Sequence, residues 1–432
     1  MMYDVVVVGA GAAGLIAAGK AAEAGARTLL LEKNEKVGRK IGITGKGRCN
    51  VTNACDQRAF MENIVTNARF LYSACAHFTA QDTMQLLEAH RVPLKIERGQ
   101  RVFPVSDRAF DIIDGLLRYV KKAGAVLRTQ QPVQRIRRQQ QGFIVQTSSA
   151  AFETRAVVLC TGGLSYSSTG SSGDGHRMAA GLGLELVPGV PGLIPLTVKE
   201  SWCRDLMGVS LKNAAIRITQ GPEGKAVYED FGEMLFTHFG VSGPIVLSAS
   251  SRVQAYLRKK KQTFEEAELW LHIDLKSALT AQELDQRLLR DFEKYRTRNF
   301  QNALTDLLPR KMIPVMVKLS GIEAAQKVSD LTREQRQTLG RLLKDLRLSI
   351  SGTRPLEEAI VTMGGIAVQE LAPATMMLKK LPGLFAAGEL LDVDALTGGF
   401  NLQLAFSTGA AAGIGAAEFA REKEREYAEC GD

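Results

Sequence analysis

Apolar residues in this chain fall into blocks whose period changes sharply from one to the next. Tyr3 to Val8 carries an uninterrupted β-branched run in its four valines, the pattern of a parallel strand buried on both faces. Helix formers follow from Ala12 to Ala24, Gly25 supplies a stop, and Thr28 to Leu31 predict a second strand. Ala156–Gly163, "AVVLCTGG", predicts a buried strand ending in a Thr-Gly-Gly turn. Near the far end, Leu384 to Ala387 predicts another strand, and "TGGFNLQLAFSTGAAAG" starts a helix near Asn401.

Between these blocks the pattern differs. A helix at about Arg108–Lys121 precedes "AVLRTQQPVQRIRRQQQGFIVQTSS", which alternates like a hairpin or small meander. "PGVPGLIP", Pro188 to Pro195, breaks the pattern and marks a domain boundary. Short strand-like runs from Leu196 to about Ile273 predict a small β-domain, and Thr280 to about Arg347 is mainly helical. "VTMGGIAVQEL" then returns to the first domain. The expected division is 1–190 and 351–432 for a two-part nucleotide-binding domain, with 191–275 (β-rich) and 276–350 (helical) inserted.

The turn after the first strand carries G-x-G-x-x-G at Gly9, Gly11 and Gly14. Gly9 permits the sharp turn, Gly11 lets backbone N–H groups approach a pyrophosphate, and Gly14 lets the helix pack on the strand. Glu32, at the end of the second strand, stands where an acid accepts from ribose hydroxyls. From Lys33 the chain runs through a loop of about twenty residues with Gly38, Gly42, Gly45 and Gly47. Its cations are Lys33, Lys36, Arg39, Lys40, Lys46 and Arg48. Such a loop suits a ligand longer than NAD. The late strand–loop–helix would close over the flavin half of FAD, its helix N-terminus stabilising negative charge on the ring. The fold class expected is α/β: a Rossmann-like FAD-binding domain of glutathione-reductase type, with an inserted small β-domain and a helical segment.

Composition changes this picture little. The 432 residues are 45% hydrophobic and 23% charged, ordinary for a globular protein. The longest uncharged apolar stretch, Val5 to Gly19, runs 15 residues, short of the roughly 20 that cross a bilayer. Asp4 stands where a signal peptide carries positive charge, so a cytoplasmic protein without a membrane partner is expected. Cys49, Cys55, Cys75, Cys160, Cys203 and Cys430 show no Cys-x-x-Cys spacing, which signals neither a zinc site nor a dithiol centre. The net charge is +9, but its basic residues are dispersed. The one tight run, Arg258–Lys261, reads as a solvated loop rather than a nucleic-acid interface.

Six motifs occur in a fixed order: "VVVVGAGAAGL", "GRKIGITGKGRCNVTN", "CTGGLSYSSTGSSGDGHRMA", "LFTHFGVSGPIVLSAS", "VTMGGI" and "GELLDVDALTGGFNLQLAFSTG". On these the chain resembles the BaiN-like NAD(P)/FAD-dependent oxidoreductases, from about residue 2 to 415. That family includes bile-acid-type enone reductases and aminoacetone oxidases. The resemblance implies FAD, the same three-part arrangement, and a small-molecule substrate. The residues expected to hold FAD are Gly9, Gly11, Ala12, Ala13, Gly14, Glu32, Lys33, Arg39, Lys40, Gly45 and Asn50 near the N-terminus. Val133, Thr161 and Gly162 join them from the middle, and Gly388, Glu389, Asp392, Gly399, Phe400, Asn401 and Leu402 from the end.

No catalytic side chain is assigned, because flavin N5 carries the reactive chemistry. His238, in an inserted domain expected to face the flavin, is the best general-acid candidate, against a structural turn histidine. Cys49 reads as packing, and Tyr166 and His176 as shaping the substrate side. His77, His90 and His272 lack metal-ligand spacing, so no metal is expected. With no second G-x-G-x-x-G, NAD(P)H would dock only transiently. The leading expectation is reduction of an activated C=C bond with NAD(P)H. The alternatives are an O₂-using oxidase of a small amine and a non-catalytic flavin- or nucleotide-binding module with an RNA partner. Nothing in the chain indicates an oligomeric state.

Overall fold

The computed structural model describes residues 2–429, and its contacts divide into two compact units, Met1–Gly192 with Leu356–Asp432 and Leu193–Pro355. Cys430 lies outside the described residues. In the first unit, β1 (Tyr3–Val8), α1 (Ala12–Glu23) and β2 (Thr28–Leu31) follow from the local pattern. α2 (Arg39–Ile43) comes next, and beyond a series of short helices and strands over 44–104 follow α3 (Ala109–Ala123), β3 (Val126–Arg128), β4 (Val133–Gln139), β5 (Gly142–Thr147) and β6 (Ala151–Leu159). α4 (Asp174–Gly181) and β7 (Leu186–Gly192) end this half. The chain returns through β8 (Val361–Ile366), β9 (Leu384–Ala386) and the 30-residue α5 (Phe400–Glu429).

The main sheet has the order β3-β2-β1-β6-β5-β4, with β9 added beside β6. Strands β1, β2, β3, β9 and the end of β6 run parallel, in registers such as Val8↔Leu31, Val8↔Leu159 and Leu159↔Ala386. β6 begins earlier than its apolar core suggests. Its first residues pair antiparallel with β5, so one strand serves both the meander and the parallel sheet. The Pro188–Pro195 stretch also differs from expectation. Its first part is strand, β7, paired antiparallel with β8, and the ladder is irregular between Val187 and Val190, around Pro188. The unit boundary falls within it, after Gly192.

Two helices meet at backbone distance. A Cβ on Gly409 of α5 would lie 2.4 Å from the Ala13 carbonyl oxygen, and one on Gly413 would lie 2.3 Å from that of Ala17. Small residues one turn apart on both helices therefore let α5 lie directly on α1. This brings the end of the chain onto the helix that follows the first glycine turn.

The second unit is a closed six-stranded barrel wrapped by helices, and both share one hydrophobic core. The expected separation of 191–275 from 276–350 is not a separation of cores. The barrel closes through Leu346–Thr353, which pairs with Leu269–Asp274 and Leu196–Val198. The helices Ala281–Lys294 and Arg333–Lys344 lie between those strands in sequence, each started by a capping box, Thr280/Glu283 and Thr332/Gln335. The apolar pattern did not reveal the helix Pro244–Lys260, although Pro244 after Gly243 is a start signal. Arg258–Lys260 forms its last turn rather than a loop, where cations suit the helix C-terminus.

Candidate dinucleotide crevice

The crevice forms where β1, β2, β6 and β9 end. Gly9 N–H donates to Leu31 O at 2.7 Å, Cys160 N–H to Val8 O at 2.8 Å, and Ala387 N–H to Leu159 O at 2.9 Å. Four strand ends are thus tied at one level. Gly9 has φ +101°, and a Cβ there would stand 2.5 Å from Cys160 O, so only glycine makes this turn. A Cβ on Gly11 would meet nothing within 4 Å, so the space beside the start of α1 is open. Gly14 packs so close that a Cβ would lie 1.8 Å from Gly9 O. Ala12 and Ala13 occupy the first turn of α1, whose leading N–H groups have no partner within the helix.

Glu32 is buried at 7% exposure and already holds the turn together. One carboxylate oxygen accepts from Ala10 N–H at 2.8 Å, and the other from Asn34 N–H at 2.9 Å and the Asn34 amide at 2.7 Å. A carboxylate has about four acceptor positions, so about one remains free for a ligand hydroxyl. Val133 opens β4, two residues beyond Gln131, whose N–H donates to Glu32 O at 2.8 Å.

The segment from Lys33 is more ordered than its composition suggests. It contains α2 and a 3₁₀ turn over Thr44–Gly47, with Gly45 and Lys46 at positive φ. Several of its cations are engaged by the protein itself. Lys33 pairs with Asp174 and donates to Ser172, and Arg39 reaches Asn34 Oδ1 at 3.0 Å. Arg48 pairs with Glu97 and Asp107, its guanidinium 4.2 Å from the centre of the Phe103 ring. Much of the positive charge expected to grip a ligand thus braces the loop. Cys49 is fully buried, and burial pushes its thiol up to about 12, which favours the packing role.

Lys40 and Glu389 anchor a denser cluster. Lys40 Nζ lies 2.6 Å from Glu389 Oε2 and 2.7 Å from Ser165 Oγ. Glu389 Oε1 accepts from Thr362 N–H at 2.8 Å and Ser165 Oγ at 2.9 Å, while Thr362 Oγ1 accepts from Leu164 and Ser165 N–H. Ser165 and Thr362 lie in the quoted motifs "CTGGLSYSSTGSSGDGHRMA" and "VTMGGI", but neither was singled out as a site residue. Nearby, Thr161 Oγ1 is buried without a protein partner, held against Gly175, where a Cβ would stand 1.9 Å away. Both ring nitrogens of His176, the next residue, are also buried and unpartnered. Burial lowers the His176 pKa, with Glu389 opposing and Arg177 reinforcing. Gly162 turns at φ +75° beside Ser171.

The C-terminal residues assigned to the ligand divide in two. Gly388 stands against the first turn of α1, where a Cβ would be 2.9 Å from Ala13 Cβ, and its N–H donates to Thr408 Oγ1 at 3.0 Å. Gly399, φ +95°, crosses Thr52, whose carbonyl oxygen would be 2.4 Å from a Cβ. Asn50, two residues earlier, has its amide oxygen buried without a partner. The side chains beyond turn inward. The Phe400 ring packs at 5.3 Å from that of Phe60, and the Asn401 amide bonds the backbone of Ala395 and Leu396. Asp392, 3% exposed, receives the Asn67 amide. Leu402 is half-buried in the first turn of α5.

Other candidates lie elsewhere. Tyr166 has φ +51°, its ring 5.9 Å from Lys40 Nζ. His238, in the second unit, is exposed and edge-on to Phe239 at 4.8 Å. His77 and His90 bond carbonyls one helical turn back, and His272 bonds Asp345 and Thr219. Among the described residues no three of His, Cys, Asp or Glu are grouped to hold a metal, and no helix is long and apolar enough to cross a membrane.

Residues 3–415 match the model of the HI0933-like protein Rossmann domain. The chain belongs to the HI0933-like family. Within it, the chain is 31% identical over 420 residues to the 3-dehydro-bile acid delta(4,6)-reductase of Clostridium scindens, covering 96% of this chain and all of that protein. It is also 31% identical over 407 residues to the ribosomal RNA dihydrouridine synthase of Escherichia coli, covering 94% and 96%. Among solved structures, a flavocytochrome c3 fumarate reductase matches at TM-score 0.51 and 18% identity, over 97% of this chain and 78% of that one. A 3-ketosteroid-delta4-(5alpha)-dehydrogenase from Rhodococcus jostii RHA1 matches at 0.51 and 16%, over 96% and 97%. These two share its fold. This HI0933-like protein is a FAD-dependent oxidoreductase, which sets aside the non-catalytic module.

Proposed function

We propose that this crevice holds FAD and that the enzyme reduces a C=C bond conjugated to a carbonyl, with NAD(P)H as the electron source. The approach of Gly388 and α5 to the first turn of α1 carries the reading, because it joins the two remote glycine turns in one crevice. The residues fit a dinucleotide. Open space lies beside Gly11, Glu32 retains about one free acceptor position, and Thr161 Oγ1 and Asn50 Oδ1 are buried polar atoms awaiting partners. The N–H groups opening α1 would receive the pyrophosphate, and those opening α5 would bear on the electron-rich ring edge. Lys40 and Glu389 would hold the intervening chain in place. When bound, the flavin accepts and donates hydride at N5. Overall, one hydride from NAD(P)H and one proton add across the double bond, giving NAD(P)⁺ and two new C–H bonds.

Two substrates share this chemistry. The Clostridium scindens relative is named for reducing a bile acid, which points to a steroid-like enone. The Escherichia coli and Haemophilus influenzae relatives are named for making dihydrouridine in ribosomal RNA. The C5=C6 bond of uracil is conjugated to the C4 carbonyl, so it accepts the same hydride and proton. The net charge of +9 favours the RNA reading, since binding a polyanion uses excess cations.

Anaerobic NADPH should bleach the yellow protein. Recovery of colour on adding unmodified ribosomal RNA transcript supports the second reading, and recovery on adding a 3-keto-4-ene steroid supports the first. If NADH and NADPH leave the colour and a small amine bleaches it, the reductase proposal fails and an oxidase replaces it.

A further inference from the structure

β4 is the edge of the main sheet, hydrogen-bonded to β5 alone, so its outer side carries unpaired backbone groups. It contains Arg135, Arg137 and Arg138, all exposed, with only Ile136 among them buried. Among the described residues no acid, hydrogen bond or ring engages these three guanidinium groups. Some arginines of the unit meet acids, Arg27 and Arg155 at Asp4, Arg48 at Glu97 and Arg177 at Asp174, whereas Arg69, Arg91, Arg98 and Arg108 are exposed and scattered; only β4 gathers three such side chains within four residues. Glu153 is an acid on the sheet face of Arg135 and Arg137, while Arg138 stands on the opposite face with Ile136. Glu153 is in register with Arg137 through Ile144, two strand spacings away, or about 9.6 Å between backbones.

Basic side chains on an edge strand commonly guard it against pairing with another chain. Three arginines within four residues, none neutralised, also supply planar forks for phosphate oxygens. The strand begins beside the crevice, since Val133 opens it and Gln131 bonds the Glu32 carbonyl. We infer that the Arg135–Arg138 edge is a docking strip for the phosphate backbone of the RNA whose uracil is reduced. This rests on the RNA reading of the proposed function. Interactions with phosphate of this kind fix position and carry no sequence information.

The test uses the flavin-loaded full chain and an unmodified ribosomal RNA transcript, with binding measured across a range of salt concentrations. Removing the cation that neutralises one phosphate reduces the slope of log affinity against log salt by about 0.7–0.9. The R135E/R137E/R138E variant should lose about two to three units of slope and bind RNA at least tenfold more weakly at low salt. R135K/R137K/R138K should keep most of the slope. R135Q/R137Q/R138Q covers the case in which charge reversal impairs folding, and it should lose slope as the glutamate variant does. Flavin content and melting temperature should match the parent. If the parent binds RNA and both neutral and reversed variants keep its slope and affinity, the strip is only an edge guard. If the parent itself shows no salt-dependent RNA binding, the RNA reading fails and the proposal falls with it.

Discussion

Lys40 and Glu389 stand 349 positions apart in the chain, yet Nζ and Oε2 meet at 2.6 Å. Their side chains are about one-fifth exposed, and both also bond Ser165. One ion pair therefore ties α2, the turn after β6 and the turn after β9 into a single wall. A double-mutant cycle with K40M and E389Q should give a coupling of about 1 kcal/mol in urea unfolding of the flavin-free protein, at the upper end of what surface pairs give. Additive losses would mean that the pair braces nothing.

The approach of Gly413 to the Ala17 carbonyl sets opposing effects against each other. Alanine is the better helix former by about 1 kcal/mol, but its Cβ would stand 2.3 Å from a backbone oxygen that cannot rotate away. Overpacking of this kind costs about 1–3 kcal/mol, and here it forces two helices apart. G413A should therefore lower the melting temperature and loosen flavin retention. A raised melting temperature would show that propensity wins.

His176 gives a pH dependence with a definite sign. Burial, the main cause, holds its pKa below the ordinary 6.5, with Arg177 adding to the effect and Glu389 opposing it. The unfolded chain then takes up the proton first as pH falls. Its contribution is full above about pH 6.5 and is lost progressively below that value. The urea midpoint of the flavin-free protein should fall between pH 7.5 and 5, and less so in H176F. Equal slopes in the two proteins would remove His176 as the cause.

Thiol reactivity should follow burial. Cys49 is pushed up to about 12, Cys75 and Cys203 likewise, and Cys160 higher still, all chiefly by burial. Cys55 is half-exposed, with a smaller upward shift. Among these five, iodoacetamide at pH 8 should label Cys55 first in native protein, read by peptide mass spectrometry. Early labelling of Cys49 would show that the loop after β2 opens readily.

Much of the fold was legible because its signals are local. Four consecutive valines, then glycines at fixed offsets, define β1 and its turn without help from distant chain. The helix near Asn401 and the strand before it were read the same way. The barrel was legible only in part. Its closing strand, Leu346–Thr353, lies beyond two helices, and strand alternation does not reveal which partner a strand will find. The cations after Lys33 were read as ligand-holding because composition shows charge and not its partner.

Local pattern was enough to settle the glycine turn after β1, the starts of α1, β2 and α3, and the strand and helix near the end of the chain. Those depend on side-chain period and backbone freedom, which each segment carries within itself. Folding in three dimensions was needed to bring Lys40 to Glu389, to lay Gly409 and Gly413 on Ala13 and Ala17, and to engage most of the Glu32 acceptors on its own turn. These pairings join residues remote in the chain or fix how a turn closes, and they arise only when packing sets the register between elements.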